Sequence, residues 1–205
     1  MKTINGQILK RMLYGGRARL AACVEELNAL NVFPVPDGDT GINMALTLNA
    51  AAKELAKMNN PTLGKALEVS SSAVLRGARG NSGVITSLLF RGIAKGMKDV
   101  STADGGNLAN GLTEGVAAAY KAVLKPAEGT ILTVSRLAAA AAAEKAEETE
   151  DCMAVMEAAI DMGRLALAET ARQFEFVEAK ILGVVFNCTV EESGRYGHKY
   201  YKRYY

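Results

Sequence analysis

Apolar positions recur at helical spacing through most of the chain. Between Gln7 and Leu30 they fall at Ile8, Leu9, Met12, Leu13, Leu20, Ala21, Val24, Leu27 and Leu30, a spacing that predicts one amphipathic helix. The Gly15-Gly16 pair inside it is a place for a bend, or for close approach by another helix or a ligand, with packing the plainer reading. The pattern then fails over Asn31-Val32-Phe33-Pro34-Val35-Pro36-Asp37-Gly38-Asp39-Thr40-Gly41, where two prolines and two glycines forbid a regular helix. It resumes from Ile42 to about Met58, and again from Pro61, acceptable in a first turn, to Leu75. Arg76-Gly77-Ala78-Arg79-Gly80-Asn81-Ser82-Gly83 breaks it once more. Helices are then predicted over Val84–Met97, over Leu108–Leu124, from an N-cap at Thr130 to Glu147, and over Glu150–Thr170. No convincing strand precedes residue 170, so the fold class is an all-α antiparallel helical bundle of about eight helices.

Composition narrows the chemistry. The chain has 205 residues, enough for one ordinary domain, and 49% of them are hydrophobic against 22% charged. The formal net charge of +2 gives no global argument for nucleic acid. No run of about 20 apolar residues suggests a transmembrane helix. The stretch MKTINGQILKRMLYGG lacks the apolar core of a signal peptide, so a cytoplasmic protein is expected. Cys23, Cys152 and Cys188 are far apart and form no CxxC, which argues against a disulfide framework or a zinc site. With His198 the only histidine, a His-based triad or multi-His metal centre is nearly excluded. Catalysis would have to run on carboxylates, hydroxyls, backbone amides and cations.

Three of the breaks carry suitable groups. Asp37 and Asp39, one residue apart on irregular backbone, can converge on a hard cation such as Mg²⁺, and the helix start near Gly41–Met44 offers amides to phosphate. The alternative is an acidic turn with Asp39 or Thr40 as N-cap. A calcium loop is excluded, because positions five, six and twelve would be Gly41, Ile42 and Leu48. In Arg76–Gly83, glycines permit close backbone approach and the arginines balance phosphate charge; a helix-breaking turn capped by Asn81 or Ser82 fits equally. The loop matches neither a Walker A motif nor a dinucleotide fingerprint. In Lys125-Pro126-Ala127-Glu128-Gly129-Thr130, Lys125 can neutralise phosphate and Thr130 can donate to an anion, although a capped turn explains the same residues.

The segment from Asn31 to Met44, with the RGNSG at Arg79–Gly83 and KPAEGTILTV at Lys125–Val134, resembles the DhaL (DAK2) domain, the nucleotide-binding domain of dihydroxyacetone kinases. Within that family it is most similar to the N-terminal domain of the fatty acid kinase A subunit. The resemblance covers about residues 1–170. It implies a helical barrel with ATP or ADP and Mg²⁺ held at one rim. Asp37 and Asp39 match the family's metal-binding aspartates. Asn31 stands nearest a third Asp of the dihydroxyacetone branch, with one extra intervening residue, which leaves its role as a ligand open. Thr40, Asn43, Arg79, Asn81, Ser82, Gly83, Lys125 and Thr130 are expected around the nucleotide. The acceptor would be presented by a separate protein: a fatty-acid-binding B-type subunit forming an acyl phosphate, or a dihydroxyacetone-binding subunit. A non-catalytic nucleotide-binding or interaction module is the remaining alternative. A phosphatase reading ranks low for want of an arranged nucleophile or base. A homodimer is left open.

The C-terminal stretch departs from the family. Domain boundaries are expected at 1–172 for the DhaL-like domain and 173–205 for an atypical tail, truncated or disrupted in reading frame. That tail holds the only β-leaning run, Ile181–Val190, and a basic, aromatic end with Tyr196, Tyr200, Tyr201, Tyr204 and Tyr205. The end suits RNA or a membrane surface less well than plain terminal disorder.

Overall fold

The computed structural model describes residues 2–31 and 36–176, with side chains described as far as 168. Eight helices are present among them, in the order α1 (Gly6–Ala22), α2 (Val24–Ala29), α3 (Thr40–Ala56), α4 (Leu63–Gly77), α5 (Gly80–Gly96), α6 (Gly105–Ala122), α7 (Ile131–Glu148) and α8 (Cys152–Phe176). The expected all-α architecture is the observed one. The β-leaning run, the tyrosine-rich end and the expected break in the family pattern after residue 172 lie largely or wholly outside the described residues.

Alternating direction puts the α3–α4, α5–α6 and α7–α8 connections at one end of the bundle. Backbone hydrogen bonds lock that end. Ile4 and Ala103 exchange both amide bonds at 2.8 Å, Gly64 N donates to Val100 O at 3.1 Å, and Gly105 N donates to Glu150 O at 2.8 Å. The main core sits there, with Ile4, Leu63, Leu67, Met97, Leu108, Cys152 and Val155 buried together. Each large apolar side chain so buried contributes about 1.5–3 kcal/mol before conformational entropy is subtracted. The Cys152 thiol is buried here and donates to Ala103 O at 3.3 Å, and burial pushes its pKa up. It is an inert packing group.

The remaining connections, α2–α3, α4–α5 and α6–α7, fall at the opposite end. Close helix contacts set this register. A side chain at Gly92 would strike the backbone of Glu114 and Gly115, and one at Gly96 would meet Gly111. Counting from that contact at 1.5 Å per residue, α6 runs about 10 Å further to Ala122, while the α5 start at Gly80 lies about 18 Å away in the same direction, so the loop after α6 begins about 8 Å short of it.

Several expected boundaries move. The Gln7–Leu30 helix is two helices, broken at Cys23, whose N–H bonds back to Leu20 O at 3.0 Å while its φ and ψ of −111° and 10° leave the helical region. The break is not at Gly15-Gly16: both are helical, and nothing lies within 4 Å of where their Cβ atoms would stand. Their packing role is therefore not observed. α4 starts at Leu63, after an N-cap by Thr62, so Pro61 precedes the helix; the Pro61 carbonyl instead packs directly on Gly6. α5 begins four residues before Val84, and only Ala78 and Arg79 separate it from α4. Gly80, at φ +58°, makes so short a corner possible.

A site built from two helix starts

The Asp37–Gly41 loop enters α3 through a turn at Gly38, whose φ of +65° favours glycine. Asp37 is exposed and Asp39 half-buried. Asp39 occupies the N-cap position of α3, yet its side chain makes no capping bond. The first-turn amides are taken by two asparagines from α2 and its exit. Asn31 Oδ1 accepts from Asp39 N and Thr40 N, both at 3.1 Å. Asn28 Oδ1 accepts from Gly41 N at 2.9 Å and Ile42 N at 3.2 Å. Two corrections follow. The α3 start does not offer free amides to phosphate, and neither Asp39 nor Thr40 caps it with a side chain. Asn31 uses its carbonyl oxygen, the atom a cation would need, on backbone amides.

The α4–α5 corner lies directly against α3. A Cβ at Gly80 would stand 2.5 Å from Asn43 Nδ2, and one at Gly83 would stand 2.5 Å from Thr47 Oγ1. Thr47 is fully buried. Its hydroxyl donates to Asn43 O at 2.7 Å and accepts from Arg79 N at 3.3 Å. The first two loops are thus joined, and α3 and α5 begin side by side, pointing the same way. Arg79 is the N-cap residue of α5 and gives it no side-chain cap. Asn81 and Ser82 are therefore not caps, as they were expected to be in the turn reading; they lie inside the first helical turn, Asn81 exposed and Ser82 half-buried. Arg79 is exposed, and its guanidinium bonds the neighbouring Ala78 carbonyl at 3.1 Å.

The third loop occupies the same end, at the close of α6. Lys125 is exposed and Thr130 is the N-cap of α7, as expected. The Thr130 hydroxyl accepts from Leu132 N at 3.2 Å and donates to Ala127 O at 2.8 Å, so its proton is already used within the loop rather than offered to an anion. Glu128 is the polar centre here. It receives Tyr120 Oη at 3.0 Å, Thr133 Oγ1 at 2.7 Å and Arg136 Nη2 at 3.0 Å. These partners, Thr133 foremost and then Arg136, hold the Glu128 carboxyl below its ordinary pKa. Glu128 in turn, and after it Tyr120, raises the pKa of Arg136.

Sequence reasoning missed Asn28, Thr47 and Glu128. The first two sit on helical faces with nothing to distinguish them from surface or core polar residues. The signal for Asn28 was its three-residue spacing to Asn31, about one helical turn, at the end and exit of α2.

Among the described residues no three His, Cys, Asp or Glu side chains cluster as a metal site. Two carboxylates suffice for Mg²⁺ when phosphates and waters complete its shell, so Asp37 and Asp39 fit that ion and fit no all-protein cage. No described helix is long and apolar enough to cross a membrane.

The model of the DAK2 domain matches residues 34–183. An uncharacterized protein of Staphylococcus haemolyticus (strain JCSC1435) is 45% identical over 167 residues, which is 82% of this chain and 30% of that protein. Uncharacterized proteins of Staphylococcus aureus strains bovine RF122 / ET3-1 and USA300 give the same identity and coverage. The chain therefore spans less than a third of the length of these curated relatives. By the extent of the match and the identity of these relatives, the chain belongs to the DAK2 domain family, the nucleotide-binding family of dihydroxyacetone kinase type.

Proposed function

We propose that this chain is the ATP- and Mg²⁺-binding domain of a phosphotransferase whose acceptor is presented by a partner subunit. The observation that carries the reading is the joining of the Asp37–Asp39 loop to the Arg79–Gly83 corner through Asn43 and Thr47. It supports a reading in which the two carboxylates serve together with the α5 start, whose N-cap residue Arg79 gives no side-chain cap, the pairing that a metal–phosphate ligand requires.

Asp37 and Asp39 would hold the ion, which would offset the charge of the phosphates. The α5 start and Arg79 balance the charge on the transferring group, and Lys125 adds a cation from the third loop. An acceptor oxygen attacks the γ-phosphorus in line, the bond from that phosphorus to the bridging oxygen breaks, and ADP leaves with the electron pair. The acceptor is a fatty acid carboxylate and the product an acyl phosphate. A carboxylate needs no general base because it is ionised at neutral pH, and none of the described site residues is arranged as one.

Thermal unfolding with ATP or ADP, with and without Mg²⁺, tests the reading. Ligand at about 100 times its Kd adds roughly 2.7 kcal/mol, or about 5–11 °C for a domain of this size. The shift should require Mg²⁺ and vanish in Asp37→Asn/Asp39→Asn. No shift in the wild type would overturn the nucleotide site. Phosphate transfer from labelled ATP to a fatty acid bound by a B-type subunit, and not to dihydroxyacetone on its own subunit, would settle the acceptor.

A further inference from the structure

Asp at an N-cap position ordinarily turns its carboxylate onto the amides of the second and third helical residues. In α3 those amides belong to Gly41 and Ile42, and Asn28 Oδ1 already holds both, at 2.9 and 3.2 Å. Asn31 Oδ1 holds the two preceding amides, those of Asp39 and Thr40. Four successive N–H groups are thus satisfied by two neutral oxygens borne three residues apart, and Asp39 makes no capping bond. The contact is close: a Cβ at Gly41 would strike Val24 O and stand 3.0 Å from Asn28 Oδ1. Two residues that lie close in sequence thus do what a helix usually asks of its own first carboxylate.

We propose that Asn28, with Asn31, is a positioning residue that caps α3 in place of Asp39 and so leaves the Asp39 carboxylate for the cation. The Asn28 oxygen quenches the amides of Gly41 and Ile42 and closes the α3 start to phosphate, so that anion binding is left to α5. This rests on the phosphotransferase reading above, in that Asp39 is taken as a metal ligand.

Removing Asn28 frees the two amides that an N-cap carboxylate ordinarily takes. In Asn28→Ala the Asp39 side chain turns back onto its own helix. Stability then falls little, because one cap replaces another, while cation affinity falls. A merely structural residue gives the reverse. The experiment titrates Mn²⁺ in the presence of ADP, reading the free ion by electron paramagnetic resonance, with thermal unfolding measured in parallel. Asn28→Ala should weaken Mn²⁺ binding by roughly five- to tenfold, the equivalent of a cap's worth of interaction. Asn28→Asp keeps the acceptor and should hold Mn²⁺ at least as tightly as the wild type. Asp104→Ala, which removes the capping box of α6 at the far end, should cost stability and leave Mn²⁺ binding unchanged. If Asn28→Ala does not fold, Asn28→Ser is read the same way. Wild-type affinity in the alanine or serine variant, or an equal loss in Asp104→Ala, overturns this proposal alone. Failure of the wild type to bind Mn²⁺ with ADP overturns the phosphotransferase reading as well.

Discussion

The starts of α3 and α5 lie side by side, point the same way and each follow a glycine-containing break, yet they are finished differently. At α3 four amides are held by Asn28 and Asn31. At α5 the exposed N-cap residue, Arg79, gives no side-chain cap, and among the described residues only its own N–H is held by a side chain, that of Thr47. Both carry the positive end of a helix dipole, so dipole alone does not distinguish them. What distinguishes them is which unpaired N–H groups the protein has already satisfied. The helix that follows the carboxylates is closed to anions, and the helix that follows the arginine is left open. A cation and a phosphate placed on this end would therefore sit on different helices, separated by the Asn43–Gly80 contact, rather than compete for one.

Widening that contact gives the largest expected effect. Gly83→Ala places a methyl group 2.5 Å from the buried Thr47 hydroxyl, and neither helix has slack there. Overpacking of this kind costs about 1–3 kcal/mol, and near the upper end the melting temperature falls by roughly 6–12 °C. The nucleotide-induced shift should shrink with it, because α5 is pushed away from α3. A variant as stable as the wild type would show that the corner yields freely. Next is Thr47→Val, which keeps the shape and removes the side-chain oxygen that accepts from Arg79 N. An orphaned amide costs about 1–2 kcal/mol in such a place. Thr47→Ser should recover most of it in the same unfolding measurement.

Making α5 resemble α3 sharpens the comparison. Arg79 has extended φ and ψ of −133° and 138°, which suit a capping serine. Arg79→Ser should stabilise the ligand-free protein by about 0.5–1 kcal/mol while reducing its response to Mg²⁺ and nucleotide. Opposite signs in the two readouts are the outcome that matters. If capping raises both, α5 is not where the anion sits.

The helices were legible because their apolar spacing is set locally, and the three breaks were legible because proline and glycine punctuate them. The division of labour between the breaks was not. Asp39-Thr40 and Asn81-Ser82 look alike as potential caps, and in both cases the group that decides comes from elsewhere. α2 and its exit reach over eight or more residues to hold four amides at one start, and at the other, among the described residues, a distant side chain, Thr47, holds only the Arg79 N–H. The split at Cys23, which frees α2 to turn toward α3, also has no marker, since the helical pattern of Leu20, Val24, Leu27 and Leu30 runs straight through it. Capping by a distant side chain is a tertiary interaction, and single-chain periodicity carries no record of it.

The third loop provides the smallest effect and a control for the other two. Glu128 draws Tyr120, Thr133 and Arg136 together, and these donors favour its charged form and lower its pKa from an ordinary 4.5. A carboxyl whose pKa is lower folded than unfolded adds stability above the unfolded value, and that stability is lost as pH falls through the folded one. The network is exposed, with 58% of the Glu128 side chain open to solvent, so screening keeps the contribution small. Glu128→Gln should be slightly less stable than the wild type at pH 7. The two should converge as the pH is lowered from about 4.5 through the depressed value. Because its donors are spent within the loop, the same variant should leave the Mg²⁺-dependent nucleotide shift at pH 7 unchanged. Loss of that shift would mean that the third loop holds the ligand as directly as the corner at Arg79 does.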